Sequence, residues 1–315
     1  MPFKRSDFLK TAASIGVASA AGGLAVSPAR AQSKSLRIIT WSHFVPSFDT
    51  WFDPFAKKWG DSKGISVTVD HISYKDLVTR ATAEVAAGSG HDLSFFLAPP
   101  SAFEPHVLDL TDITQEAQQR YGPMVPLVRK STYNPHTKKV YGFSAGWTVD
   151  PGDYLKSAWS KAGKPEGPSS WEDLLTYGLR IKSDYPSMQI PIGVGMSEGI
   201  DSNMAMRALL WSYGGTVQDA NENVTLYSEQ TIKAVEFGAK LFQQVINPAV
   251  LSWNAASNNQ ALNAQQTSYI LNSISAYRTA QADKLPVAND IFFVPALKGP
   301  TGIALNSEHV MGIWV

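Results

Sequence analysis

Ser197 lies in a segment whose spacing matches the nucleophile motif of serine hydrolases. The run Gly195-Met196-Ser197-Glu198-Gly199 fits G-x-S-x-G and stands between a predicted strand at residues 189–194 and a predicted helix. In such enzymes a sharp strand-to-helix turn exposes the serine hydroxyl, and an acid and a histidine follow later in the chain. Asp290 and His309 occur in that order. A secreted serine esterase is therefore one interpretation.

Two features weigh against hydrolysis. No HGGG-type oxyanion motif precedes Ser197, and the predicted helix begins only after Gly199-Ile200, so the turn is looser than a nucleophile elbow. A five-residue match with two glycines also arises readily by chance in a chain that contains 23 of them. The esterase is the less favoured interpretation.

Other catalytic and cofactor patterns are absent from the sequence. The chain has no cysteine, which excludes thiol nucleophiles, cysteine-ligated zinc, disulfides and the lipid-bearing cysteine of a lipoprotein. Its six histidines show neither i, i+4 pairing nor H-E-x-x-H, and the chain has no P-loop and no G-x-G-x-x-G after a strand. We therefore predict no metal, no cofactor and no enzyme activity.

The composition is that of an ordinary globular protein with many aromatic rings. The 315 residues are 44% hydrophobic and 17% charged, and the formal net charge is zero. Without a basic stripe, nucleic acid and membrane surfaces are poor partners. Nine Trp, eleven Tyr and fourteen Phe suit a site that stacks flat apolar faces.

Residues 1–31 resemble a signal peptide. Lys4, Arg5 and Lys10 form a basic start, an Ala/Gly-rich apolar stretch follows, and Ala29-Arg30-Ala31 provides an A-x-A cleavage site. The basic start is similar to a twin-arginine signal, but Ser6 stands where the second arginine belongs. We expect export to the periplasm without lipidation, by either the Tat or the Sec route.

Strands and helices alternate along the first part of the chain. We predict strands at residues 35–41, 65–71 and 93–97, with helices at about 48–59 and 76–87 between them. This rhythm indicates a parallel sheet covered by helices, whose ligands bind beyond the carboxyl ends of the strands. The segments to watch are residues 41–44 and 96–101.

The second part of the chain repeats this α/β character. We predict helices from about Trp171, at residues 203–213, 231–246 and 261–266, and strands at 189–194, 268–272 and 290–294. The chain ends at Gly312-Ile313-Trp314-Val315, inside an apolar run that reads as a strand. We therefore expect a truncated sequence.

Several fragments together resemble family 1 extracellular solute-binding proteins of ABC importers, the maltose-binding-protein-like class. The matching fragments are residues 86–96, 106–111, 154–163, 168–174, 210–226 and 294–299, with departures at His91 and Leu155. The fragments occur in the same order as in the family and span nearly the whole mature chain, but the family's C-terminal helices have no counterpart.

The resemblance implies an α/β, two-lobed periplasmic binding protein fold of type II, with lobes joined by crossing hinge strands. Lobe 1 would comprise residues 32–145 plus 290–315, and lobe 2, which is incomplete, residues 150–285. The hinges would fall at about residues 144–151 and 286–290.

The same resemblance, with the sheet argument, implies the ligand contacts. Sugars offer apolar faces to aromatic rings and hydroxyls to planar polar groups. We predict contacts from residues that end strands, lie in the first crossing or fall in cleft loops: Trp41, His43, Phe44, Phe96, Trp147, Glu198, Asp201, Asn203, Asn272, Tyr277 and Arg278. Ser275 stands where the family has a Trp, and Tyr277 or Arg278 would compensate for it.

The sequence thus predicts a monomeric periplasmic receptor that closes on a neutral sugar or polyol and delivers it to ABC permease subunits in the membrane. A polyamine or another small solute is the rival ligand class, because several carboxylates could hold ammonium groups. These carboxylates are Asp49, Asp53, Asp150, Asp153 and Asp201.

Overall fold

Eight strands form two separate sheets. The computed structural model describes residues 34–306 and 308–314, so the predicted signal peptide at 1–31 lies outside the described residues. In chain order the strands are β1 Lys34–Trp41, β2 Ile65–Ile72, β3 Leu93–Phe96, β4 Phe143–Val149, β5 Gly152–Leu155, β6 Tyr269–Leu271, β7 Ile291–Val294 and β8 Glu308–Trp314.

The larger sheet has five strands in the order β2-β1-β3-β8-β4. β1 pairs in parallel with both β2 and β3, as the alternation of strands and helices predicts. β8 runs antiparallel to β3 and β4, so the sheet is mixed rather than purely parallel. The carboxyl ends of β1 and β2 meet at one edge, where Trp41 pairs with Ile72.

The smaller sheet has three antiparallel strands in the order β6-β5-β7. The strand predicted at residues 189–194 is wrong, because this segment contains bends and forms no ladder. It runs beside β6, and the amide of Gly193 donates to the carbonyl of Tyr269 at 2.8 Å. Pro191 has no N–H group to donate, which interrupts the pairing.

Ten α-helices cover the sheets in the described part of the chain. They are α1 Ser47–Lys63, α2 Leu77–Ala87, α3 Thr111–Tyr121, α4 Pro126–Thr132, α5 Lys156–Lys161, α6 Trp171–Asp184, α7 Ile200–Ser212, α8 Glu229–Val245, α9 Ser257–Asn263 and α10 Ser275–Ala282. α6 starts where predicted: Ser170 Oγ accepts from the amide of Asp173, and Asp173 Oδ2 accepts from the amide of Ser169. Among the described residues, no helix is long and apolar enough to cross a membrane.

The two sheets are joined by two short crossings. Asp150 and Pro151 link β4 to β5, within the predicted first hinge. The second hinge, predicted at 286–290, is wrong, because β7 pairs with β5 in the smaller sheet. The following segment stays on that sheet's side, where Lys298 N donates to Ser169 O at 3.1 Å. The chain returns through Leu305 and Asn306, and the Asn306 side chain donates to the carbonyl of Asp150.

Each sheet has its own apolar core. The larger cluster surrounds the smaller sheet, with Trp159, Trp171 and Tyr269 fully buried in it. The smaller cluster lies on the five-stranded sheet and includes Trp41 and Phe96, each 1% exposed. These two rings are packed inside this core.

The aromatic residues of α1 do not pack as their helical spacing suggests. The helix forms as predicted, but only Ala56 and Gly60 are buried in it, and Gly60 lies against β2. Trp51, Phe55 and Trp59 are 56%, 51% and 42% exposed. These three rings therefore face solvent rather than the sheet.

Candidate ligand-binding cleft

Two adjoining cavities lie between the two sheet-based lobes. The first has a volume of about 1010 Å³ and the second of about 700 Å³. They share Ser73 and Tyr74 from the first lobe and Asn254 and Ala255 from the second. We call the two together the cleft, with a first and a second chamber. A cleft of this size fits a small solute.

The first chamber is lined mainly by the start of α7 and the loop before it. From the first lobe come Ser73, Tyr74, Lys75 and Ala98, and from the second come residues 196–200, Ser202, Asn203, Met204, Met206, Arg207 and residues 251–255. Glu198 and Asn203 line this chamber, as the sequence predicts. Asp201 does not line it. Burial and the nearby Asp150 carboxylate raise the pKa of Asp201 to about 7.

The second chamber combines aromatic rings with side-chain amides. The first lobe contributes His43, Phe44 and Tyr74, and the second contributes four carboxamides, which are Asn254, Asn259, Gln260 and Asn263. A carboxamide offers both a donor and an acceptor at fixed angles. Asn259 already donates one N–H to Ser275 Oγ and accepts at Oδ1 from Asn272, which leaves it one N–H and one lone pair. Such groups pair with hydroxyls without requiring a charged ligand.

Tyr74 stands at the junction of the two chambers. Its ring meets Trp41 edge-on at 6.2 Å and Phe44 at 6.3 Å, so the buried core supports it from behind. Burial raises the pKa of Tyr74 to about 12. The hydroxyl therefore stays neutral at physiological pH and can both donate and accept.

Trp41 and Phe96 support the cleft rather than line it. Trp41 stacks on His43 at 5.8 Å with planes 25° apart and contacts Phe95 at 5.2 Å. Because Trp41 and Phe96 are each only 1% exposed, neither presents a face to the cleft in this conformation. Of the three residues predicted at the end of β1, His43 and Phe44 line it.

Asn272 lies behind the second chamber. It is 7% exposed, and its Nδ2 donates to Oδ1 of Asn259 and to Oγ of Ser275. Asn259 in turn donates to Ser275 Oγ at 3.0 Å. Asn272 thus orients Asn259, which lines the chamber.

Three other predicted contacts lie away from the cleft. Trp147 lines a separate hollow beside α3 and α4. Tyr277 packs edge-on against Phe293 at 5.6 Å, and the exposed Arg278 donates to Gln281 Oε1. In the described part of the chain, none of these three lines either chamber.

The carboxylates of the polyamine alternative are also placed outside the two chambers. His71 lies 2.9 Å from Asp53 and 3.6 Å from Asp49, which ties both acids to the imidazole. Asp150 and Asp153 are 1% and 0% exposed. Burial and the Asp150 charge raise the pKa of Asp153 well above its usual range. Both of these buried carboxyl groups are enclosed within the protein and present no surface to a ligand in the chambers.

Ser197 lacks the surroundings of a hydrolase nucleophile. Its Oγ donates to the carbonyl of Trp253 at 2.6 Å, and its backbone is not left-handed. Asp290 accepts from the amide and hydroxyl of Ser157, at 2.8 and 2.6 Å. His309 lies on β8 of the other sheet, opposite Thr148. The motif forms a cleft loop without a strained elbow.

Tyr74, Trp253, Asn254 and Asn259 are cleft residues that were not predicted from the sequence. Tyr74 follows β2, so the rule about carboxyl ends of strands applies to it as it does to residues after β1. Trp253 and Asn254 lie between α8 and α9, and Asn259 lies within α9, in segments without a local signature. Only the tertiary fold identifies them.

The fold is shared with solved structures at low sequence identity. Maltose-bound MalE3 of T. maritima has a TM-score of 0.78 at 17% identity, covering 89% of this chain and 72% of that one. A ribitol complex of a solute-binding protein from Agrobacterium radiobacter gives 0.78 at 16%, covering 90% and 71%. One from Agrobacterium vitis with D-mannitol gives 0.75 at 18%, covering 90% and 68%.

The sequence comparisons identify the family. A search among curated proteins finds no match. The profile of the family described as bacterial extracellular solute-binding protein matches residues 45–315, which is most of the chain. This chain belongs to the family of bacterial extracellular solute-binding proteins.

Proposed function

We propose that this protein is the periplasmic receptor of an ABC importer and that it binds a sugar or polyol in the cleft. The observation that carries the proposal is the lining of the second chamber, where four carboxamides face His43, Phe44 and Tyr74 across the lobes. Carboxamides satisfy hydroxyls in both directions, and rings cover apolar faces. The structural neighbours bind maltose, ribitol and D-mannitol, which supports the same ligand class here.

Binding requires contacts from both lobes if it is to favour the closed state. Thr279 Oγ1 of α10 lies 3.4 Å from the carbonyl of Phe44, and Ile200 of α7 packs on the first lobe's core. The lobes therefore already meet at two points beside the chambers. A ligand held by Tyr74 on one side and Asn259 on the other stabilises this arrangement through its greater affinity for it.

Export and delivery complete the proposal. Residues 1–31 direct the chain to the periplasm by the Tat or Sec route, and the protein acts there as a monomer without a lipid anchor. The closed, loaded form is recognised by the permease subunits. The protein is a receptor and not an enzyme.

Thermal-shift screening of the purified protein tests the ligand class. We expect stabilisation by at least one of maltose, laminaribiose, ribitol, D-mannitol and tagatose, worth about 2.7 kcal/mol at a ligand concentration of 100 Kd. Asn259→Ala should weaken that ligand at least tenfold in calorimetry, because it removes paired hydrogen bonds. The exposed Asn221→Ala is the matched control.

Two outcomes contradict the proposal. A shift with spermidine alone would replace the sugar with a polyamine. Equal affinity of wild type and Asn259→Ala for a bound sugar would place the site outside the second chamber.

A further inference from the structure

α1 carries a row of five aromatic residues, of which three are exposed and two, Phe48 and Phe52, are half-buried. Phe48, Trp51, Phe52, Phe55 and Trp59 fall within a sector of about 100° on a helix of 3.6 residues per turn. Trp51 and Phe55 are more than half exposed, and Trp59 is 42% exposed. Contiguous exposed rings of this kind mark an interaction surface, whereas single exposed rings do not. We call these five residues the aromatic row.

The rings contact one another in sequence along the helix. Phe48 and Phe52 are 5.5 Å apart with planes 11° apart, and Trp51 and Phe55 are 5.0 Å apart with planes 18° apart. Phe48 and Trp51 join the two pairs at 5.6 Å. From Phe48 to Trp59 the row extends about 16 Å at 1.5 Å per residue. It is thus an elongated surface rather than a pocket.

The aromatic row is continuous with the cleft. His43 lines the second chamber, and its ring lies 4.4 Å from that of Phe48. A chain-like ligand whose end occupies the second chamber would meet Phe48 and then the rest of the row on leaving it. The surface therefore extends the ligand-binding site.

The charges of α1 favour a neutral occupant. The helix carries three aspartates, at positions 49, 53 and 61, against three lysines, at 57, 58 and 63. A helix that lies on an anionic membrane has an excess of Lys and Arg on its polar face, which α1 lacks. Aromatic rings flanked by both signs of charge suit a hydroxylated chain, which needs apolar contacts and hydrogen-bond partners together.

We propose that the aromatic row binds a glycan chain, whose terminal units reach the cleft. The proposal rests on the proposed function for the nature of the cleft ligand. It adds a second, surface site that takes the part of an oligosaccharide or polysaccharide lying outside the lobes.

Affinity electrophoresis of the full chain in gels that contain glycogen or laminarin tests the proposal. We expect at least one of these polysaccharides to retard the wild type. Trp51→Ala/Phe55→Ala should weaken the apparent affinity roughly tenfold, the effect of losing two ring contacts. Tyr227→Ala, which removes a ring that is 93% exposed elsewhere, is the matched control and should behave as wild type. Both changed rings are exposed, so the urea midpoint should not move.

The outcomes separate this inference from the proposed function. Loss of retardation in the double variant, with retention in Asn259→Ala, supports the surface site alone, and loss in both supports one continuous site. If only Asn259→Ala loses retardation and the double variant keeps it, the cleft is the sole sugar site and the inference is overturned. No retardation in either gel also overturns it. The inference is also overturned if the wild type binds phosphatidylglycerol vesicles, or forms a dimer in sedimentation, and the double variant does not.

Discussion

Removing the side-chain amide of Asn272 tests whether this residue orients Asn259 or touches the ligand itself. The Asn272 amide makes two buried hydrogen bonds, to Asn259 Oδ1 and to Ser275 Oγ. Asn272→Ala removes both and leaves the Asn259 oxygen buried without that donor. Two hydrogen bonds of about 1 kcal/mol each, plus about 1–2 kcal/mol for the stranded acceptor, give a loss of about 3–4 kcal/mol in the free energy of unfolding.

The same change should also weaken ligand binding. Without its donor, the Asn259 carboxamide is held only by its bond to Ser275 Oγ, so the donor–acceptor pair in the second chamber is less firmly oriented. We expect a loss of about tenfold in affinity, equivalent to about 1.4 kcal/mol. Urea unfolding followed by tryptophan fluorescence measures the first effect, and calorimetry with the sugar or polyol found by screening measures the second. Asn221→Ala, on an exposed turn, controls for loss of an asparagine.

The two measurements together can refute the reasoning. If Asn272→Ala lowers affinity and leaves the urea midpoint unchanged, Asn272 contacts the ligand directly, as the sequence resemblance implies. If neither quantity changes, the buried amide network does not support the chamber.

Three further predictions follow from individual side chains. Because burial and Asp150 raise the pKa of Asp201 from 3.8 to about 7, the folded state holds a proton that the unfolded state releases. As pH rises from about 4 to above 7, the free energy of unfolding of the wild type should therefore fall by up to about 4 kcal/mol relative to that of Asp201→Asn. Urea midpoints of the two proteins that change in the same way across that range would contradict this. A Cβ at Gly152 would lie 2.4 Å from the ring of Tyr269, so Gly152→Ala should lower the free energy of unfolding by about 1–3 kcal/mol in urea titration; an unchanged midpoint would show that the ring moves freely. Ser197→Ala should leave the rate of p-nitrophenyl acetate hydrolysis at the wild-type level, and a tenfold fall would restore the esterase interpretation.

Features encoded in local sequence were predicted closely. β1, β2 and β3 were predicted to within a residue at each end, because their strand patterns are bounded by glycines or by a change of period. The start of α6 was predicted because Ser169-Ser170-Trp171-Glu172 has capping-box spacing, and in the structure Ser170 caps the helix by accepting from the amide of Asp173. These signals need no knowledge of the rest of the fold.

Features that depend on distant contacts were not predicted. The period of α1 identifies a helix, but it does not show that Ala56 and Gly60 face β2 while Trp51 and Phe55 face solvent. The strand β7 was predicted, but its assignment to the smaller sheet follows from its pairing with β5. Trp41 satisfies the rule for strand ends, yet the core encloses it, because rings of Tyr74, Phe44 and Phe95 surround it.

The cleft-lining residues of the second lobe show the same limit. Glu198 and Asn203 were found because their loop matches the family's order, whereas Asn259 comes from a helix that carries no motif. Its place in the chamber depends on Asn272 and Ser275, which follow it by 13 and 16 residues. An amide that functions through such a network is visible only once the network is assembled.

The two crossings have a mechanical consequence. The first consists of Asp150 and Pro151, and Asn306 of the second bonds to the backbone of Asp150. Because the two short crossings are joined by this hydrogen bond, we expect the lobes to rotate about a line through positions 150 and 306. The same bond should oppose sliding of one lobe past the other. Because β2 lies at the edge of the larger sheet opposite β4, such a rotation would displace β2 and α1, which packs on it, more than the strands next to the crossings.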